Sequence, residues 1–125
     1  MMTVTALNLA ARPVLLRAAN RIVETGLAHN DYTTPALNPD PDTWPVDPMG
    51  AIADACGLPA RAWEDDRMHH PALVHACEAA DLLVTHLGLD PAKAYDETLG
   101  AWSDEHTVEH VVTAMRNAAR EETTS

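Results

Sequence analysis

His106-Thr107-Val108-Glu109-His110 form an H-x-x-E-H string. Two histidines four apart on a helix can ligate one zinc ion while the glutamate between them serves as general base, the arrangement of a small metal-dependent hydrolase. A zinc site of that kind needs a third protein ligand. Fifteen residues follow His110, and their acids, Glu121 and Glu122, fall in a tail expected to fray. His106, His110, Thr113 and Asn117 also line up as one polar column opposite the valines, which is the pattern of a solvated helix face. Zinc held by His106 and His110, with Glu109 as base, is therefore the alternative to a surface column.

A second cluster gathers Asp65, Asp66, His69, His70 and His75 just before and inside a helix that opens on Pro71. Acids and histidines at this density can hold a divalent ion, but carboxylates also favour the positive end of a helix dipole for its own sake. Di-iron carboxylate bundles need Glu-x-x-His on two helices, and the chain contains no such tetrad. Nucleophilic chemistry has little to work with. There is no Gly-x-Ser-x-Gly, the only serines are Ser103 and Ser125, and neither Cys56 nor Cys77 has a basic neighbour in sequence. The cysteines match no metal spacing and are expected as small core residues. The five glycines are isolated rather than clustered into a phosphate loop. No catalytic residue is assigned.

The elements that would position these groups are helices. The first is expected from about Pro13 to Thr25, stopping at Gly26, with Leu15, Ala18, Ala19 and Ile22 on one stripe and Arg17, Asn20, Arg21 and Glu24 opposite. The second has Asp47 as N-cap and Pro48 behind it, carries Met49, Ile52, Ala53 and Cys56, and ends at Gly57. Gly50, inside its first turn, permits a close backbone approach, and tight helix–helix packing is the expected use. The third runs from Pro71 to Gly88 with Leu73, Cys77, Ala80, Val84 and Leu87 as its stripe, widened by Ala76 and Leu83. Asp90 before Pro91 starts a turn or short helix through Tyr95 to Leu99. The last helix starts at Ser103 or at Thr107 and turns Val108, Val111, Val112, Met115, Ala118 and Ala119 to one side. The expected architecture is all-α: one domain, a small bundle of four to five short helices, ordered over about residues 12–120, with a mobile tail at 121–125.

A Pro/Asp-rich loop, 27–46, follows the first helix and holds Asp31, Asp40, Asp42 and four prolines without any alternating apolar pattern. A connection this long in a small domain is functional, disordered, or a sign of a missed element. Trp44, near its end, is placed to pin it to the core. Trp44, Trp63 and Trp102 each stand at or just before a helix start, where they can plug the ends of a helical core.

Eight Lys+Arg against 19 Asp+Glu give the 125-residue chain a net charge of -11. Residues 1–27 are weakly basic and everything after them is acidic. Such a balance argues against direct binding to nucleic acid or to anionic lipid. No apolar run is long enough to span a bilayer, and the start does not read as a secretory leader, so a cytoplasmic location is expected. Four short, alanine-rich helices bury little area, which makes a homodimer attractive.

Ala18-Ala19 with Ile22 and Gly26, then Met49-Gly50-Ala51-Ile52, Ala79-Ala80 to His86-Leu87-Gly88, Trp102-Ser103-Asp104 and Val111-Val112 together resemble a family of short actinobacterial and actinophage proteins, a family defined by a domain of unknown function. The likeness spans residue 14 to about 120 and rests chiefly on the Gly-Ala-Ile turn and the Trp-x-Asp before the final helix. Members often carry a cysteine three residues ahead of that glycine and an asparagine between the tryptophan and the aspartate. Here those positions are Asp47 and Ser103. The resemblance implies a small helical protein of an actinobacterium or its mobile elements and brings no activity with it. His106 to His110 are not part of its pattern, whereas Trp102 and Asp104 look like its structural signature.

The leading expectation is a non-catalytic, acidic interaction or regulatory protein that docks on a host or phage protein, with Asp40, Asp42, Trp44, Trp63, Trp102 and Asp104 as the partner-binding residues. An acidic mimic of nucleic acid, occupying the basic groove of a DNA-binding or defence enzyme, is the alternative from a second class. The zinc hydrolase of His106, Glu109 and His110 is the third. No cofactor other than zinc is implied.

Overall fold

Helix α1 carries its apolar stripe straight through Pro13. The element runs Met2–Thr25, so the proline lies inside the helix and does not open it. An interior proline forfeits one backbone hydrogen bond at a cost of roughly 3 kcal/mol. Burial of Ala11, Val14, Leu15, Ala18, Ala19 and Ile22 on both sides of it holds the chain helical. This computed structural model describes residues 2–28, 31–33, 37, 39–40, 43–64 and 71–120, with side chains from Ala11 onward. Asp42, the tail 121–125, and Asp65, Asp66, His69 and His70 lie outside the described residues.

Helix α2, Pro48–Ala55, begins as its sequence dictates. Asp47 is extended at the N-cap, its carboxylate accepts the Gly50 N–H at 2.7 Å, and Pro48 fills the first helical position, where no N–H is needed. Gly57, with φ of +79°, ends the segment. Residues Pro48 to Ala53 are buried all round, because α1, α3, a 3-10 turn at Ala60–Glu64 and the segment after α3 enclose them.

Helix α3, Pro71–Leu87, has the expected bounds, and its buried stripe is narrower than expected and gains Ala79. Ala76, Ala79, Ala80, Leu83 and Val84 are fully buried, while Leu73, Cys77 and Leu87 are half-buried. The alanines let α1 approach closely, and Leu73 packs instead on a satellite cluster of Ala53, Leu58 and Ala62. After a turn in which the Asp90 carboxylate accepts the Ala92 N–H, the chain forms a π-helical segment, Asp96–Gly100, that runs into helix α4, Ala101–Asp104. Helix α5, Val108–Arg120, starts at the second of its two candidate caps: the Thr107 hydroxyl accepts the His110 N–H at 3.2 Å. Val111, Val112, Met115, Ala118 and Ala119 are buried as expected, but Val108 stays more than a third exposed, because the first residue of α5 overhangs the groove beside α1.

The result is an all-α bundle in which α1 packs on α2, α3 and α5. Two isolated backbone bridges, Leu27 to Val46 and Thr33 to Val46, tie the loop after α1 into this body. Val46, not Trp44, is the anchor. It is fully buried, its N–H donates to the Gly26 carbonyl and its carbonyl accepts from Ala28, while Trp44 is half-buried and its carbonyl accepts from Arg21. None of the helices is long and apolar enough to cross a membrane among the described residues.

Candidate functional site

The Tyr32 carbonyl accepts the Asp47 N–H at 3.1 Å and lies against Gly50, so the backbone of the loop, not another helix, uses the missing Cβ. That contact brings Asp31 and Tyr32 beside the N-terminus of α2. The 3-10 turn adds Glu64, the π-helical segment adds Asp96 and Gly100, and α4 adds Asp104. Asp31, Tyr32, Asp47, Glu64, Asp96, Gly100 and Asp104 then line one hollow of about 390 Å³. Five of its seven lining residues are carboxylic acids.

Their charges sense one another. Asp47 is pushed up to about 7, chiefly by burial and also by Asp104 and Asp31, against the opposing pull of the Gly50 and Met49 N–H groups. Tyr32 is raised by burial first and then by Asp47, Asp96, Glu64 and Asp31. Arg61, at the rim, clamps Asp31 with both guanidinium nitrogens, at 2.9 and 2.7 Å, and reaches Glu64 at 3.1 Å. This bidentate pair holds Asp31 below its ordinary range. The hollow thus keeps one acid poised near neutrality among four others, with the Arg61 guanidinium beside them.

Of the described residues expected to bind a partner, the structure brings only Asp104 into this hollow. Trp63 lies behind it: its indole N–H donates to the Met49 carbonyl at 2.7 Å, and its ring meets Tyr95 edge-on at 5.4 Å. Tyr95 in turn donates its hydroxyl to Asp81 at 2.7 Å, and burial raises it well above its usual range. Trp102 packs against the core. Trp44 lines a different hollow of about 610 Å³ with Arg21, Thr33, Asp54, Leu58 and Arg61. There Arg21 bridges Asp54 at 2.9 Å and the Trp44 carbonyl at 3.0 Å, which neutralises its charge locally. Asp40 is exposed, and its carbonyl accepts from the Thr43 N–H and hydroxyl.

The H-x-x-E-H string is divided. His106 and His110 stack at 4.3 Å with Trp102 alongside, and the Trp102 carbonyl holds His106 Nδ1 at 2.6 Å. Glu109 points elsewhere, into the groove between α1 and α5. Among the described residues no three His, Cys, Asp or Glu are grouped as a metal ion would require. His75 lies 3.9 Å from Glu78. Cys56 and Cys77 are half-buried and both raised, chiefly by burial; Arg17 near Cys56 offsets this in part.

Asp31, Tyr32, Glu64 and Asp96 were invisible as a site in the sequence, and Asp47 was legible only as a cap. The signal available was the acidity of the chain after residue 27, which does not say that the acids converge.

The model of DUF6197, a family of unknown function, matches residues 6–121. No curated protein and no solved structure matches the chain.

Proposed function

The chain belongs to DUF6197, a family of unknown function, and from its own geometry we propose that it is a non-catalytic interaction protein whose acidic hollow receives a lysine or arginine side chain of a partner protein. The observation that carries this reading is the convergence of five carboxylic acids on one concavity, with Arg61 beside it engaging Asp31 and Glu64. Gathering like charges opposes folding, so the arrangement favours a ligand that brings the opposite charge. The volume lies at the small end of ligand pockets and suits one side chain better than a large cofactor.

Concavity also separates this reading from the acidic nucleic-acid mimic. A mimic of a phosphate backbone presents its carboxylates in an extended row, whereas these five border one shared concavity. A hydrolase reading draws no support from the stacked histidines, because Glu109 turns away from them.

Titration with capped arginine and capped lysine, followed by amide NMR, tests the proposal. Shifts are expected at Tyr32, Asp47 and Gly100, with millimolar half-saturation for a single side chain, about 4 kcal/mol of binding. Asp96→Asn and Asp104→Asn should each weaken that binding, and raising salt to roughly 0.5 M should abolish it by screening. Shifts centred on the Trp44 hollow, or binding indifferent to salt, would overturn the assignment.

A further inference from the structure

Val23 and Val108 stand exposed at 57% and 38% on either side of a groove between α1 and α5, a setting that leaves apolar surface in water without cover. Val112, Thr113, Glu109 and Arg116 complete its lining. In a protein of net charge -11 this groove is electrically balanced, with one acid and one base. The hydrogen bond from Arg116 to Asn20 at 3.1 Å holds that guanidinium over the α1–α5 seam.

The order of these residues along α5 is the informative feature. Glu109 and Arg116 are seven residues apart, which puts them on nearly the same line of the helix with Val112 and Thr113 midway. At 1.5 Å rise per residue their Cα atoms are about 10.5 Å apart, too far to pair within one helix. A two-fold contact matches each residue i of one copy with j of the other and j with i. With the axis passing between Val112 and Thr113, antiparallel α5 helices set Glu109 of each copy opposite Arg116 of the other and close Val23 and Val108 against the second groove. A parallel arrangement would oppose like charges. From this self-complementary pattern we propose that the α1–α5 groove is occupied by a second copy of this chain, forming an isologous homodimer through antiparallel α5 helices. The groove shares no lining residue with the acidic hollow, so each copy keeps its hollow open to a partner.

Sedimentation equilibrium from roughly 1 to 500 µM, the range that brackets a micromolar dimer, reads the proposal directly. The parent chain is expected to convert from monomer to dimer across it. Glu109→Arg and Arg116→Glu each set like charges across the axis and should raise the dimer Kd about tenfold or more, while the two reversals combined should return it to within about threefold of the parent. Val23→Lys, at a solvent-exposed position that does not touch the core, should also disrupt the dimer, and helical circular dichroism checks that each variant is folded. A parent monomeric throughout overturns the proposal. So does a dimer indifferent to Glu109→Arg and Val23→Lys, or a combined reversal that fails to recover.

Discussion

The Tyr32 carbonyl rests so closely on Gly50 that a Cβ at that position would run into the oxygen, and the same carbonyl accepts the Asp47 N–H at 3.1 Å. One peptide group of the loop is thereby seated on the first turn of α2, and two walls of the acidic hollow are set by it. Gly50→Ala is expected to force this loop outward. Overpacking against backbone costs about 1–3 kcal/mol, a loss of several degrees in Tm for a chain of this size. Thermal denaturation checks it, and an unchanged Tm would mean that the loop is not seated there.

Asp47 makes the stability of the fold depend on pH in an unusual direction. In the unfolded chain its carboxyl titrates near 3.9, and burial raises it to about 7 in the folded protein. A folded pKa above the unfolded one favours the neutral form on folding. Its contribution is complete below about pH 4 and is lost as pH rises through 7, by up to about 4 kcal/mol at 1.36 kcal/mol per pKa unit. Asp47→Asn keeps an oxygen for the Gly50 N–H and removes the titration. Urea denaturation between about pH 4 and 8 should show the parent losing stability relative to Asp47→Asn as pH rises; parallel profiles would refute the assignment.

Arg21 straps the loop to α1 from a side chain only 10% exposed, through Asp54 at 2.9 Å and the Trp44 carbonyl at 3.0 Å. Arg21→Met is expected to cost about 1–3 kcal/mol, moderated because Asp54 is itself partly solvated. Faster amide exchange at Ala28 and Val46, whose N–H groups close the loop, should accompany it. Lysine should recover less than half, since it lacks the planar fork that reaches both acceptors.

Trp63→Phe removes the indole N–H from the Met49 carbonyl while leaving most of the ring's packing. A loss of about 1 kcal/mol is expected by chemical denaturation, with helical content unchanged. A cost near that of deleting a core aromatic, about 3–5 kcal/mol, would place far more of the fold's stability on this ring.

The helical core was readable because periodic burial leaves its mark locally. Leu15, Ala18, Ala19 and Ile22 of α1 and the Asp47-Pro48 start of α2 behave as their spacing requires. Pro13 misled because its place at a helix start and its place inside a helix differ only in what precedes it. On α3 the spacing marks Ala76, Ala80, Leu83 and Val84, which are buried, but not Ala79, since hydrophobic size alone does not single out an alanine that becomes buried once α1 lies on it. The hollow lay beyond any local reading. Asp31, Asp47, Glu64, Asp96 and Asp104 come from separate segments, and long-range contacts such as that of Tyr32 with Gly50 bring the first two together.

The central claim, that the hollow accepts a cationic side chain, is tested most directly by the titration of Asp47 itself, read from its carboxyl carbon by NMR with and without saturating capped arginine. Alone, Asp47 should titrate near 7. A guanidinium in the hollow favours the ionised carboxylate, so the bound protein should show Asp47 titrating about one unit lower or more, and arginine affinity should rise correspondingly between pH 6 and 8. An Asp47 titration that stays in place when arginine is added would contradict the account.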